Sequence, residues 1–135
     1  MIVLNESRVP IASDTDIVTA RQNGRALALK AGFNGTDLTV ISTAISEIAR
    51  NIVEHAGLGE LIIRTVNEGT RAGIVVVATD QGPGIADLSL AMQDGYSSGK
   101  GLGLGLPGTR RLVDDFEIVS SPGHGTTVTI KKWRR

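Results

Sequence analysis

The chain has 135 residues, and its 14 Lys and Arg are balanced by 14 Asp and Glu, so the formal net charge is zero. This balance disfavours nucleic-acid and membrane-surface partners, and the absence of cysteine excludes disulfide scaffolds, cysteine nucleophiles and zinc fingers. Hydrophobic residues make up 41% of the chain, yet no stretch approaches the ~18 apolar residues of a membrane helix. We therefore predict a single domain over residues 1–135, without a signal peptide and located in the cytoplasm.

The first part of the chain predicts an edge strand and two helices. Residues 1–12 contain short apolar pieces that indicate an interrupted or edge strand. Ser13 and Asp16 have the spacing of a capping box, and the apolar spacing after them predicts a first helix that stops at Gly32. Thr36 is the predicted cap of a second helix. A single apolar stripe runs along that helix and comprises Leu38, Ile41, Ile45, Ile48 and Ile52.

The rest of the chain predicts four more strands and two helical segments. The strands are rich in β-branched residues and cover 60–67, 74–80, 116–121 and 126–133. The helical segments cover 88–93 and 106–116, and Pro107 stands at the first position of the second of these, where a missing N–H is tolerated. The elements together predict an α+β two-layer sandwich, with three main helices on one mixed or antiparallel sheet of about five strands.

The second helix carries a line of polar residues beside its apolar stripe. Glu47 and Asn51 are four residues apart, so their side chains project from one face about a turn from each other, and His55 continues the line. A carboxylate and a carboxamide both offer hard oxygen atoms, which suit a divalent cation or the acceptance of a proton. The alternative is a solvated polar face on which Glu47 pairs with Arg50 or Arg64.

Glycine is concentrated in the second half of the chain, where ten of the 17 lie between Gly82 and Gly125, and this indicates a site there. Asp80 ends a strand and opens the sequence DQGPGI. Its carboxylate could accept a hydrogen bond from the amino group of a planar ligand, and the glycines would let the backbone pass close to that ligand. The same residues could also form only a tight turn, with Asp80 bonded to its own amides.

The stretch GYSSGKGLGLGLPG, residues 95–108, runs alternating glycines into the start of a helix. It is not a P-loop, because its first gap is one residue short and Gly101 stands where a metal-binding Ser or Thr belongs. No strand precedes it, so a dinucleotide-binding fold is excluded as well. Free N–H groups and the positive dipole end at a helix start attract phosphate, and Lys100 adds a charge that could reach a terminal phosphate. The stretch therefore predicts a phosphate-binding lid.

The three motifs follow one another along the chain, and with them the chain resembles the GHKL ATPase family. Glu47 and Asn51 match its N box, DQGPGI its first glycine box, GLGLGLPG its second, and Gly125-Thr126-Thr127 its final G-T element. The resemblance runs from about residue 12 to the end of the sequence. A chain of this length is similar to the bacterial anti-sigma-type serine/threonine kinases of that family. The segments TAISEIARNI and GLGLGLPGTRRLVDDF are similar to the stressosome switch kinases among them.

The resemblance implies ATP and Mg²⁺ as ligands and a role for each matching residue. Asp80 is expected to accept a hydrogen bond from the adenine amino group, with Thr126 as a second adenine contact. Asn51 is expected to hold the magnesium ion, and Glu47 to be the catalytic base near the attacking hydroxyl. The full predicted nucleotide-binding set is Asn51, Asp80, Gly82, Gly84, Gly99, Lys100, Gly101, Leu102, Gly103, Leu104, Gly105 and Thr126.

The resemblance further implies a kinase that phosphorylates a serine or threonine of a partner STAS-domain protein. On release the kinase would activate an output enzyme such as a PPM-type phosphatase. Two alternatives stay open: an anti-sigma factor that binds a sigma factor and phosphorylates its STAS antagonist, and an ATP-dependent binding module without kinase activity. Arg21 on the first helix is a candidate partner contact by the same resemblance, and Trp133 is either another such contact or an ordinary strand end.

Overall fold

The computed structural model describes residues 1–85, 92 and 105–135. Within them the elements in chain order are β1 (Ile2–Ile11), α1 (Asp14–Lys30), α2 (Thr36–His55), β2 (Gly59–Glu68), β3 (Arg71–Asp80), α3 (Gly105–Leu112), β4 (Asp115–Ser120) and β5 (Thr126–Trp133). The five strands form one sheet in the order β1-β2-β3-β5-β4, and every neighbouring pair is antiparallel. The predicted α+β sandwich is confirmed, with a sheet that is antiparallel throughout these residues.

The starts of the first two helices follow different local rules. At α1 the carboxylate of Asp16 accepts hydrogen bonds from the backbone N–H groups of Ala12 and Ser13, at 2.8 and 3.2 Å, as the predicted capping box requires. At α2 the predicted cap is wrong by one residue. Gly35 is the N-cap, with a φ of 54°, a left-handed conformation that favours glycine, and Thr36 is the first helical residue.

The apolar stripe of α2 is confirmed as the centre of the core. All five of its predicted residues are buried, and Ile45, Ile48 and Ile52 are among the most buried side chains of the described chain. They pack against α1 and against the inner face of the sheet. Burying one such side chain contributes roughly 1.5–3 kcal/mol, so this stripe fixes the position of α2. The polar line of α2 is carried by the same helix and is therefore fixed with it.

The third helix is shorter than predicted and ends at Leu112 instead of residue 116. The chain leaves the helix because Asp114 is used by β5: its N–H donates to the carbonyl of Lys131 at 2.9 Å, and its carboxylate accepts the backbone N–H of Trp133 at 2.7 Å. Pro107 is the third helical residue rather than the first, still within the turn whose N–H groups have no intrahelical acceptor. The helical piece predicted over 88–93 lies outside the described residues, apart from residue 92.

One row of residues crosses the whole sheet on the face that the helices cover. The strand registers place in it, from β1 to β4, Ile11, Gly59, Asp80, Thr126 and Ser120. Residues opposite each other on neighbouring strands project from the same face. The last three of them therefore form a polar cluster at the edge of an otherwise apolar layer. No helix in the part of the chain that the structure describes has the length and apolar character needed to span a membrane.

Candidate functional site

The polar line of α2 contains a buried carboxylate that nothing around it neutralises. The Glu47 side chain is only 8% exposed, and within the described ranges it has no hydrogen bond or ion pair. The pairing considered for it does not occur: Arg64 binds Glu6 at 2.8 Å instead, and the Nε of Arg50 is buried without a hydrogen-bond partner. Glu47 is nearly buried and lies one helical turn before Asn51, and this position favours a functional role over a solvated polar face.

The end of α2 lies directly over the polar end of the sheet. A methyl group added at Gly59 would come within 2.8 Å of the Cγ2 atom of Ile52, and one added at Gly82 within 2.6 Å of the Cβ of Ala56. These close approaches hold the helix turn that carries Asn51 next to the strand end that carries Asp80. Two of the sequence motifs, distant along the chain, are thus brought together in space.

Asp80 is the last residue of the central strand β3 and is 6% exposed. Its Oδ1 accepts the backbone N–H of Gly82 at 2.9 Å, which forms the tight turn that was one of the two readings of this motif. Its other carboxylate oxygen has no hydrogen bond among the described residues. The tight turn is therefore present and leaves one acceptor oxygen available, so the hydrogen bond from a planar ligand to Asp80 stays a prediction.

Thr126 and Ser120 complete the polar cluster on the neighbouring strands. Thr126 is 5% exposed, and its Oγ1 lies 2.8 Å from the Oγ of Ser120. Ser120 also accepts the backbone N–H of Ile85 at 2.7 Å and donates to the carbonyl of Gly125 at 3.0 Å. Sequence reasoning missed Ser120. The alternation of Phe116, Ile118 and Ser120 in β4, three residues on one face of the strand, was the available signal.

The glycines of DQGPGI are needed for contacts within the protein. A Cβ at Gly84, where φ is 78°, would lie 2.1 Å from the carbonyl oxygen of Ser121. The same close approach occurs at Gly125, where φ is 73° and a Cβ would lie 2.1 Å from the carbonyl oxygen of Asp80. The N–H of Gly123 also donates to the carbonyl of Pro83 at 2.8 Å. The motif is thus clamped to the β4–β5 turn by backbone contacts, a reason for these glycines that the sequence did not suggest.

The residues present suit a magnesium ion that a nucleotide brings with it. Among residues 1–85, 92 and 105–135, no three His, Asp or Glu side chains cluster as a complete metal site would require. Magnesium bound together with phosphates needs only one or two protein oxygens, since phosphates and water supply the others. The carbonyl oxygen of the half-buried Asn51 can supply one, and Glu47 lies a turn away.

Half of the residues predicted to bind the nucleotide lie outside the part of the chain that the structure describes. They are Gly99, Lys100, Gly101, Leu102, Gly103 and Leu104. Of that second glycine box only its end is described: Gly105 is the first residue of α3, with a φ of 58°. The helix start predicted after the alternating glycines is therefore present, and α3 packs against α2.

The two candidate partner contacts have different surroundings. Arg21 is exposed on α1, as a docking residue must be. Trp133 is only 6% exposed, packs with Val66 and Val75 on the face of the sheet away from the helices, and has the Arg71 guanidinium 4.1 Å from its ring centroid. It is a buried strand-end residue at the far end of β5 from Thr126.

Comparison with known proteins agrees with this architecture. Residues 11–132 match the family model of the histidine kinase-like ATPase domain. The chain is 47% identical over 131 residues to the serine/threonine-protein kinase RsbT of Bacillus subtilis, covering 97% of this chain and 98% of that protein. It is 33% identical over 103 residues to the anti-sigma F factor of Pasteuria penetrans, covering 71% of this chain and 68% of that one.

Solved structures show the same fold at low sequence identity. The RsbU and RsbW domains of a Mycobacterium tuberculosis protein superpose with a TM-score of 0.62 at 21% identity, covering 98% of this chain and 34% of that one. The mycobacterial sensor histidine kinase MprB gives a TM-score of 0.56 at 18% identity, covering 97% of this chain and 99% of that one. These likenesses support the assignment of the fold.

Proposed function

We propose that this chain, which belongs to the histidine kinase-like ATPase domain family, transfers the γ-phosphoryl group of ATP to a serine or threonine of a partner STAS-domain protein. The chain is 47% identical in sequence to a protein serine/threonine kinase over 97% of its length, and it is therefore an ATP-dependent kinase of that class. The partner, the metal and the residue roles are our proposal. The observation that carries the roles is Glu47, a buried carboxylate with no charge partner in the described residues, one helical turn from Asn51.

The base of the nucleotide is proposed to lie at the polar end of the sheet. There the second carboxylate oxygen of Asp80 would accept a hydrogen bond from the adenine amino group, and Thr126 would make the second contact. The phosphates would extend toward the start of α3 and the second glycine box. Asn51 would hold Mg²⁺, which neutralises phosphate charge when it is bound.

The transfer step needs positioning and a proton acceptor, and no covalent enzyme intermediate. The hydroxyl oxygen of the partner forms a bond to the γ-phosphorus, the bond from that phosphorus to the bridging oxygen breaks, and ADP leaves with the electron pair. Glu47 takes the hydroxyl proton. Because phosphoryl transfer has a loose transition state, orienting the hydroxyl is as much a part of this role as removing its proton.

We propose that the kinase switches between two protein partners. The kinase would phosphorylate the STAS protein in a cytoplasmic stress-response assembly (a stressosome), leave it, and activate an output enzyme such as a PPM-type phosphatase. Exposed Arg21 would contact the STAS partner. Support comes from the relative matched over nearly the whole chain, which is a serine/threonine kinase. The anti-sigma F factors match a smaller part, and they support the second candidate, a kinase that also binds a sigma factor.

The test is transfer of label from [γ-³²P]ATP to a purified cognate STAS domain with Mg²⁺. We expect label on the STAS domain with the wild-type chain, and labelling slowed at least about a hundredfold with Glu47→Ala. An Arg21→Ala variant should bind ATP normally and capture less STAS protein. ATP binding without transfer to any STAS partner would favour the binding module, and capture of a sigma factor would favour the second candidate.

A further inference from the structure

We propose that Ser120, which belongs to none of the sequence motifs, fixes the direction of the hydrogen bond at Thr126 and so makes the base-binding end of the sheet select a 6-amino purine over a 6-oxo purine. The inference rests on the proposed function, because it takes Asp80 and Thr126 as the residues that receive the base. Ser120 would contribute, together with Asp80 and Thr126, to the discrimination between 6-amino and 6-oxo purines.

The single hydroxyl hydrogen of Ser120 fixes the direction of each of its three hydrogen bonds. A serine hydroxyl has one hydrogen to donate and two lone pairs that accept. The N–H of Ile85 can only donate, so Ser120 accepts at that contact, 2.7 Å long. The carbonyl of Gly125 can only accept, so the single hydrogen of Ser120 points to it across 3.0 Å. The third partner, Thr126, must therefore be the donor of the 2.8 Å contact between the two hydroxyl groups.

This direction decides what Thr126 can offer to a ligand. Its only hydroxyl hydrogen is held by Ser120, so the Oγ1 atom presents lone pairs and acts as an acceptor. Thr126 is 5% exposed, and a buried hydroxyl pays a large cost if it breaks a hydrogen bond without forming another. The neighbouring Asp80 is an acceptor as well, because one oxygen already receives the Gly82 N–H and the other is unpartnered within the described residues.

Two acceptors side by side call for a ligand group with two hydrogens. The register places Asp80 directly opposite Thr126 on the same face, so one exocyclic amino group can approach both. The 6-amino group of adenine has two N–H bonds. The 6-oxo group of hypoxanthine or guanine has only lone pairs there, and a site built from acceptors leaves them unpaired, which is the costly case in recognition.

The experiment compares ADP with IDP by calorimetry on the whole chain. The base of IDP has a 6-oxo group in place of the 6-amino group and a hydrogen on N1. We expect the wild type to prefer ADP. Ser120→Ala releases the Thr126 hydrogen, which can then turn toward a 6-oxo group, and the ADP/IDP affinity ratio should fall by about three- to tenfold. A purely structural role for Ser120 would weaken both nucleotides equally and leave the ratio unchanged, which would overturn the proposal.

A double-mutant cycle with Thr126→Val isolates the effect. Without the Thr126 hydroxyl, Ser120→Ala should no longer change the ratio. Ser120→Thr keeps a hydroxyl group and should restore the wild-type ratio. If Ser120→Ala does not fold, Ser120→Cys, whose sulfur is a weak acceptor, must lower the ratio in its place. The proposed site itself fails if the wild type does not bind ADP or if Asp80→Asn binds ADP as tightly as the wild type. The Ser120 inference fails if the wild type binds ADP, Asp80→Asn weakens that binding, and Ser120→Ala leaves the ADP/IDP ratio unchanged.

Discussion

Carboxylates lie at both ends of the paired strands β3 and β5, but the two ends use them differently. At one end Trp133 lies opposite Gly73, and its backbone and ring N–H groups donate to Asp114 and Asp115 at 2.7 and 3.3 Å. At the other end Asp80 lies opposite Thr126, and one carboxylate oxygen of Asp80 has no hydrogen bond among the described residues.

The difference between the two ends supports the proposed location of the nucleotide. Around Trp133 the acidic groups are used by protein donors, and the nearby Arg71 pairs with Glu68 at 3.3 Å as well as covering the indole ring. Around Asp80 one carboxylate oxygen receives no donor from the described residues, and Thr126 lies opposite it as a further polar group. A carboxylate oxygen without a protein donor can accept a hydrogen bond from a ligand. The satisfied end is structural, and the unsatisfied end is the proposed nucleotide site.

The largest expected effect concerns Glu47 and Asn51 on α2. Substituting each in turn should separate catalysis, assigned to Glu47, from nucleotide binding, assigned to Asn51. Glu47→Ala should leave Mg-ATP binding within a few fold and slow transfer to the proposed STAS partner by ~10²–10⁴, the usual range for a general base. Asn51→Ala should instead weaken Mg-ATP binding, because the metal loses a protein ligand. Equilibrium binding and single-turnover transfer measure the two effects. Glu54→Ala, an exposed carboxylate on the same helix, is the matched control, and the reverse pattern would exclude the assignment.

The next effect tests the clamp between DQGPGI and the β4–β5 turn. Gly125→Ala combines a left-handed backbone with a Cβ 2.1 Å from the carbonyl oxygen of Asp80, so it should cost ~2–5 kcal/mol of unfolding free energy. Gly123→Ala in the same turn has a φ of 79° and nothing within 4 Å of the added Cβ, so it should cost only ~1–2 kcal/mol. Urea denaturation of both variants measures the difference, and equal losses would contradict the clamp.

A smaller effect is expected when Asp80 and Asp114, acidic residues from the two ends, are substituted and the ATP affinity and melting temperature of the variants are compared. Asp80→Asn keeps an oxygen for the Gly82 N–H but can present N–H₂ to the base, so ATP affinity should fall ten- to hundredfold or more, a loss of ~1.5–3 kcal/mol, with the melting temperature nearly unchanged. Asp114→Ala, at the Trp133 end, should do the opposite, with a lower melting temperature and unchanged ATP affinity. Calorimetry and thermal melts on both proteins check this. An Asp80→Asn protein with wild-type affinity would mean that the base binds elsewhere.

The smallest expected effect concerns Glu6, whose ion pairs with Arg64 and Arg8 are exposed. Its contribution to stability is the reference against which the carboxylates at the two ends of β3 and β5 are compared. The hydrogen bond from Arg64, and then that from Arg8, hold the pKa of Glu6 below its ordinary value of 4.5. A carboxylate with a lowered pKa in the folded state stabilises the protein above pH 4.5, and that contribution disappears as the pH falls through the lowered value. The difference in melting temperature between wild type and Glu6→Gln should therefore be small at pH 7, shrink further in acid, and shrink with added salt. A difference that grew in acid would contradict the sign.

Much of the fold was predictable because its signals are local. The α2 stripe, the β2–β3 hairpin and the span of β5 each follow from residues that are neighbours in the chain. The polar line of α2 was predictable for the same reason, since helical spacing alone places Glu47 and Asn51 on one face. Their burial, and the absence of a partner for Glu47 within the described ranges, depend on tertiary packing and could only come from the structure.

What the sequence did not indicate depends on contacts between distant segments. The end of α3 was placed too late because residues 113–116 have no local breaker, and it is pairing with Lys131 and Trp133 that takes Asp114 out of the helix. Ser120 was missed because its partner Ile85 lies far away in the chain. The glycines of DQGPGI were assigned to ligand approach, and the sequence did not indicate that Gly82 also lies against Ala56 and Gly84 against backbone atoms of the β4–β5 turn.

The antiparallel register of β3 with β5 also has a kinetic consequence. The β2–β3 hairpin closes locally, but Asp80 can meet Thr126 only after the whole intervening segment has been closed into a loop, at an entropic cost that comes before any contact repays it. We therefore expect the proposed base-binding end of the sheet to be completed late in folding. Contacts formed after the rate-limiting step slow unfolding without accelerating folding. Bound ADP should thus extend the lifetime of the folded kinase and leave its refolding rate unchanged in stopped-flow experiments.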